Sequence, residues 1–299
     1  MFFLRSGKTK LICALILLLC ALCGFLPSAS ADAEMRRVVV GADLTEEQIS
    51  SVYEFFDIRR GDVPELSLTS AEEQAALQGF VDQAIIGTKA ISCVYLSLLP
   101  QGSGLVVEEQ NINWYTPEMY IGSLSTAGLT DARIMVAAPF PVSGTAALAG
   151  IYKAYEDMTG ETLDFAAKQA GTQELTVAGD LAGELGDEKS SAIIDELKQM
   201  LDETSGMTDD EIRRTVREIA ARHDIPLTDT QVEQLLDLSR TLEKLNPERL
   251  SQTAEDVQST LQKVTDAKDK VVSFAQTLKN FFESVKSFFD SLSSLFGKE

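Results

Sequence analysis

The chain is poor in the residues that most often announce chemistry. It has one histidine, one tryptophan and four cysteines in 299 residues. Three of the cysteines, Cys13, Cys20 and Cys23, fall within the first 31 residues, so the remainder keeps only Cys93. A lone cysteine closes no internal disulfide, and the core has to hold without covalent staples. A single histidine, together with the lack of any Asp-x-Asp-x-Asp-Gly loop, removes the usual zinc and calcium signatures. No metal or cofactor is expected. No Gly-x-x-x-x-Gly-Lys pattern is present, which excludes a P-loop. Positive charge is also scarce, with 26 Lys and Arg against 46 Asp and Glu. Such a surface repels nucleic acid and anionic lipid at long range, so nucleic acid is not an expected partner.

What is present begins with an export signal. Arg5, Lys8 and Lys10 precede an apolar run from Leu11 to Leu26, and Pro27 to Ala31 follow as small residues. That order reads as a secretory signal peptide over 1–31, cut after Ala31 or Ala33. The run is shorter than the ~20 residues of a comfortable span, which favours cleavage over retention as an anchor. Leu19 and Leu22 stand where a lipoprotein signal would carry a small residue. Losing the three cations deepens the net charge from −20 to −23. The expected location is secreted or extracellular, in association with the cell envelope.

A strand–turn–helix junction dominates the next region. Ile134 to Leu148 reads IMVAAPFPVSGTAAL. Arg133 to Ala138 fits a buried strand that Pro139 and Pro141 stop, and Ser143, Gly144 and Thr145 open a helix to about Met158. Upstream, Val38 to Val40 and Glu65 to Leu68 read as short strands. Thr45 with Gln48 and Ser70 with Glu73 read as helix-starting capping boxes. Ala90 to Leu99 and Leu105 to Ile112 flank Pro100-Gln101-Gly102-Ser103-Gly104, the pattern of a β-hairpin. The first of these strands is apolar on both alternating faces, which places it in the middle of a covered sheet. Thr116 with Pro117 starts a helix that ends near Gly128. The fold class expected for 35–171 is therefore α/β, a mixed β-sheet with helices.

The glycines at 171, 179, 183 and 186 read as a linker over 172–187. An all-α region follows over 188–299, with helices near 188–203, 209–222 and 229–245. Thr208 with Glu211 and Thr228 with Gln231 are capping boxes for the last two. The end of the chain reads as a long amphipathic helix. Leu250, Val257, Leu261, Val264, Val271, Leu278, Val285 and Leu292 recur at three- and four-residue steps. Beyond Val271 the stripe widens with Phe274, Phe281, Phe282, Phe288, Phe289 and Phe296. Burying each large apolar side chain gains roughly 1.5–3 kcal/mol, so this face calls for cover. This chain's own helical domain, self-association, a protein partner or a membrane surface would supply it.

Three segments carry a resemblance. VVVGADLTEEQ, IGTKAISCVYLSLLPQGSGLVVEEQNINWYTPEMY and AGLTDARIMVAAPFPVSGTAALAGIYKAYE resemble the YpuA-like secreted proteins of Gram-positive bacteria, a family of unknown function. The likeness covers Val38 to Glu156. It implies export and brings no assigned reaction and no catalytic residue with it.

The candidate site residues follow from the junction. Ser143, Gly144 and Thr145 stand at a helix start where backbone N–H groups could cradle an anionic group, and no acid lies nearby in sequence. Trp114 and Asn111, at the end of the second hairpin strand, could add a stacking platform for a sugar or peptide. The bland alternative is a capped turn beside a core tryptophan. Ser143 needs a base within hydrogen-bond reach to act as a nucleophile. His223 reads as a helix-end residue, and Lys153 lies ~15 Å along the same helix at ~1.5 Å per residue. Cys93 reads as a buried inert thiol, and the neighbours Glu108 and Glu109 point to opposite faces. No catalytic residue emerges. The expected function is a non-enzymatic exported interaction protein, an α/β module with a helical arm. The alternatives are a small-ligand or cell-wall-fragment binding module at Ser143, and an unrecognised hydrolase.

Overall fold

The computed structural model describes residues 35–245 except 78. The export signal and the Phe-rich stripe over 271–296 lie outside the described residues.

Five strands form one sheet: β1 (Arg36–Gly41), β2 (Glu65–Leu68), β3 (Cys93–Leu98), β4 (Leu105–Ile112) and β5 (Ala132–Val142), in the order β2-β1-β3-β5-β4. β1 pairs with β2 and β4 pairs with β5 in parallel, whereas β3 is antiparallel to both of its neighbours. Four strands thus share one direction, and β3 alone runs against them. Each parallel pair is bridged by a crossover helix, as parallel pairing requires. These are α1 (Glu46–Phe56) and α4 (Pro117–Ala127).

The sheet is covered on both faces. Val38, Val40, Cys93, Tyr95, Met135 and Ala137 meet Ile49, Val52 and Phe56 of α1 on one side. Val39, Val94, Leu96, Ile134 and Val136 join the larger cluster on the other, where α5 (Thr145–Thr159) packs. The central place expected of the doubly apolar strand is thus the place of β3.

The hairpin is a correction. β3 and β4 are not neighbours, because β5 lies between them. β5 buries Ile134 and Val136 on one face and Met135 and Ala137 on the other, so it gains most in the interior. β4 buries only alternate residues, Leu105 and Val107, and suits an edge. The connecting loop passes over the start of β5, where Leu99 N donates to Asp131 O and Gly104 N to Asp131 Oδ1.

The prolines do not stop β5 either. The strand runs through Pro139 and Pro141 to Val142. Pairing with β3 ends at Ala137, and β4 bulges between Gln110 and Ile112, so neither proline is asked for a ladder N–H.

The expected linker is a third correction. α6 (Phe165–Leu185) is a 21-residue helix whose Gly171 and Gly179 let its backbone approach its neighbours. A Cβ on Gly171 would lie 2.5 Å from Ser123 O of α4. α7 (Asp187–Gln199), α8 (Leu201–Thr204), α9 (Asp209–Arg222) and α10 (Asp229–Leu242) follow. The capping boxes at Thr45, Thr208 and Thr228 are all formed. One apolar cluster runs from Val39 in the sheet to Leu242 in α10.

Candidate functional site

Because four strands are codirectional, their carboxyl ends share one edge of the sheet. Gly41, Leu68, Ile112 and Val142 end there, and the segment entering β3 begins there. In α/β sheets this edge, at a change of strand order or direction, is where ligands gather. The sequence-predicted residues Asn111, Trp114, Ser143, Gly144 and Thr145 all fall on it.

The start of α5 is held from several directions. Gly144 is its N-cap with φ 96°, a left-handed conformation that glycine adopts without strain. Any side chain there would also collide, since a Cβ would lie 2.4 Å from Tyr120 Oη. Tyr120 donates its hydroxyl to Gly144 O at 2.8 Å. Ser143 Oγ donates to Ile85 O at 3.1 Å, from the short helix α3 (Gln83–Ile86). Ser143 Oγ also lies 3.2 Å from Thr145 Oγ1. Thr145 is buried and donates to Glu73 Oε1 at 2.7 Å.

Glu73 is the residue that sequence reasoning missed here. The sequence assigns it to a capping box with Ser70. The cap of α2 (Ser70–Leu77) is instead Thr69 with Glu72, one residue earlier, and Glu72 also binds Lys153 Nζ at 2.6 Å. That shift turns Glu73 inward, where it is 1% exposed. Its Oε1 accepts from Thr145, while Oε2 is buried without a hydrogen-bond partner in the structure. Burial pushes its carboxyl up to about 7, opposed by the Thr145 hydrogen bond and aided by the charge of Asp43. Asp43 itself accepts from Ala90 N at 2.9 Å. The corner without an acid in sequence therefore has a carboxyl in space. The oxygens of Ser143, Thr145 and Glu73 follow one another at hydrogen-bond distances, but Ser143 gives its proton to Ile85 O and Thr145 gives its own to Glu73, so no hydrogen lies between the two hydroxyls.

Asn111 and Trp114 sit at the end of β4. Asn111 occupies the bulge with φ 60° and donates its side-chain amide to Ala138 O at 2.7 Å. Asn113 N continues the pairing to Val142 O. Trp114 is 39% exposed and lies over Gly179 of α6, and Phe140, between the two prolines of β5, is 43% exposed.

The other candidates are accounted for. Cys93 is buried in the sheet, and burial pushes its thiol up to about 12. His223 caps α9 and its Nε2 lies 2.6 Å from Glu196 Oε2. Lys153 reaches away to Ser67 O and Glu72. Glu108 is bound by Arg133, while Glu109 turns to the other face. There burial, with Glu118 and Asp187 adding to it, raises the Glu109 carboxyl to about 7. Among the described residues no group of three or more His, Cys, Asp or Glu is placed to hold a metal ion. No helix among them is long and apolar enough to cross a membrane.

Fold and edge together define a mixed α/β protein with a helical second half and an aromatic-flanked, carboxyl-bearing corner where its codirectional strands end. Comparison with known proteins narrows this. The family model described as "Protein of unknown function (DUF1002)" matches residues 40–264. The chain is 37% identical over 212 residues to "Uncharacterized protein YpuA" of Bacillus subtilis (strain 168), covering 70% of this chain and 72% of that protein. The chain belongs to the DUF1002 family and is a relative of YpuA. No solved structure matches it significantly.

Proposed function

We propose that this is an exported, envelope-associated binding protein that works by contact, with the carboxyl edge of its sheet as the docking surface. The observation that carries the reading is the exposure of two aromatic side chains, Trp114 and Phe140, on backbone fixed by the Asn111 bulge and two prolines. A rigid aromatic platform with polar neighbours suits stacking against a sugar ring or a peptide, since little ordering entropy is lost on binding. The signal-like N-terminus supports an extracellular setting. The Phe-rich stripe over 271–296 would add self-association, a protein partner or a membrane surface.

Trp114 is the sole tryptophan, so its emission reports on this edge alone. Titration with soluble fragments of digested cell wall should blue-shift or quench that emission in a saturable way. Trp114→Phe with Phe140→Ala should abolish retention on immobilised wall fragments. Unchanged emission together with unchanged retention overturns the reading.

The hydrolase alternative has one observation in its favour, the Ser143–Thr145–Glu73 chain of hydroxyls and carboxyl. It requires Ser143 to leave Ile85 O. Turnover of an ester or peptide substrate that Ser143→Ala removes while the fold survives would establish it.

A further inference from the structure

The opposite, amino edge of the sheet carries a trough. Its deeper part, about 510 Å³, lies between the end of α4, the loop after α5 and the start of α6. Ala127, Tyr155, Leu163 and Ala166 give it apolar walls, and Lys244 and Leu245 close one side. A shallower part of about 220 Å³ continues past Met35, Leu98 and Leu129. Tyr155 lines both, so the two lie side by side along this edge. Phe165, next to the deeper part in sequence, is 70% exposed.

We propose that this trough is the docking site of the chain's own residues 246–264, with Leu250, Val257, Leu261 and Val264 as the apolar contacts. Two independent observations select this occupant. The chain leaves the described body at Leu245, which is itself a wall of the trough. Leu250 is five residues further on, within ~17 Å even fully extended, so reaching the trough needs no long excursion. The family match also runs on to residue 264, so these nineteen residues fall within the same family match as the sheet. It stops short of the Phe-rich stripe. The four apolar positions are spaced seven, four and three apart, which sets them in one row if the segment is helical. Their burial would cover the half-buried Tyr155, Leu163 and Leu245.

The consequence is a polarity of the whole molecule. The segment preceding β1 starts from Met35 at the same edge, so both flanking parts of the chain would attach there. The Trp114 edge would face away from them.

The test uses residues 32–299 with Cys93→Ala, which removes the one thiol of that span. Leu250→Cys is paired with Ala166→Cys at the exposed rim of the trough, and in a control with Glu47→Cys at the carboxyl edge. A short bifunctional thiol reagent should join 250 to 166 within one chain. Its yield should exceed that of the control by roughly tenfold, as a docked segment raises the effective concentration of one thiol at the other. Equal yields overturn the proposal. So does a 250–166 link that joins two chains, which would make a second copy the occupant. Loss of the link on adding phosphatidylcholine vesicles would instead assign the segment to a lipid surface, and also overturns it. A positive result should be matched by loss of amide-exchange protection over 125–128 when 246–299 are deleted.

Discussion

Lys198 Nζ lies 2.8 Å from Glu174 Oε1, with the two side chains 2% and 3% exposed. The pair joins α7 to α6, and Lys198 also donates to Gly122 O of α4 at 3.2 Å. Thr126 of α4 donates to the other Glu174 oxygen. Two helices of the second half, α6 and α7, are thus tied to the one that crosses between β4 and β5. Gly122 makes room for the carboxylate, since a Cβ there would lie 2.7 Å from Glu174 Oε1. Lys198→Met alone should cost about 3–5 kcal/mol, because it strands a buried carboxylate. Lys198→Met with Glu174→Leu should recover most of that loss, because neither charge is then desolvated. Urea denaturation of the two variants checks this, and equal losses would show that packing, not charge, dominates the site.

The buried carboxyls set the direction of a pH dependence. Glu73 and Glu109 are both raised by burial from 4.5 to about 7. An acid raised in this way keeps its proton in the folded chain while the unfolded chain has already lost it. The folded state then binds more protons, so stability falls as pH climbs from about 4.5 to about 7 and levels off outside that window. Each group contributes a slope of at most about 1.4 kcal/mol per pH unit. Glu73→Gln should match the parent near pH 5 and exceed it near pH 8 in thermal denaturation. A difference independent of pH would mean that Glu73 is ionised throughout.

The contrast between Thr45 and Glu73 shows what the sequence discloses and what it hides. Thr45 with Gln48, Thr208 with Glu211 and Thr228 with Gln231 are local pairs, legible because both partners lie within one helical turn. So are Thr116 with Pro117 and the αL Gly128 that ends α4. Glu73 is 72 residues from Thr145, and nothing near either announces the other. Its apparent cap with Ser70 competed with an equally good one at Thr69, and only the packing of α2 decided between them. The order of β3, β5 and β4 is hidden for the same reason. A glycine-rich loop between two strands signals a reversal, but whether a third strand enters the gap depends on burial at a distance. The glycines of α6 mislead in another way. Glycine is a weak helix former, yet here it lets a backbone come close, which a propensity argument does not see. Trp114, Asn111 and Ser143 share the carboxyl edge for a legible reason, since each lies at or just past the end of a strand.

Asn111 should be a structural residue whose loss disturbs the edge. Its φ of 60° is tolerated by asparagine, and its amide satisfies Ala138 O where β5 has lost its β3 partner. Asn111→Ala loses both the backbone tolerance and the bond, and should cost about 1–3 kcal/mol. Asn111→Gly keeps the backbone tolerance and should cost less. Chemical denaturation ranks the two, and the opposite ranking would place the constraint elsewhere.

Gly179 offers a way to move Trp114 without removing it. A Cβ at 179 would lie 2.5 Å from Trp114 Nε1, 2.7 Å from its Cδ1 and 2.8 Å from Tyr115 Cε1. The Tyr115 ring cannot yield freely, because it is buried and packs edge-on against Tyr120 at 5.9 Å. Tyr120 in turn holds Gly144 O. The indole, already 39% exposed, is the part with somewhere to go. Gly179→Ala should therefore lift Trp114 off α6, shift its emission to longer wavelength and cost about 1–3 kcal/mol, the usual range for overpacking. If stacking on the indole is how the protein holds its ligand, wall-fragment retention should fall in step with the shift. A red shift with retention intact would separate the tryptophan from the docking surface and leave Phe140 to carry it.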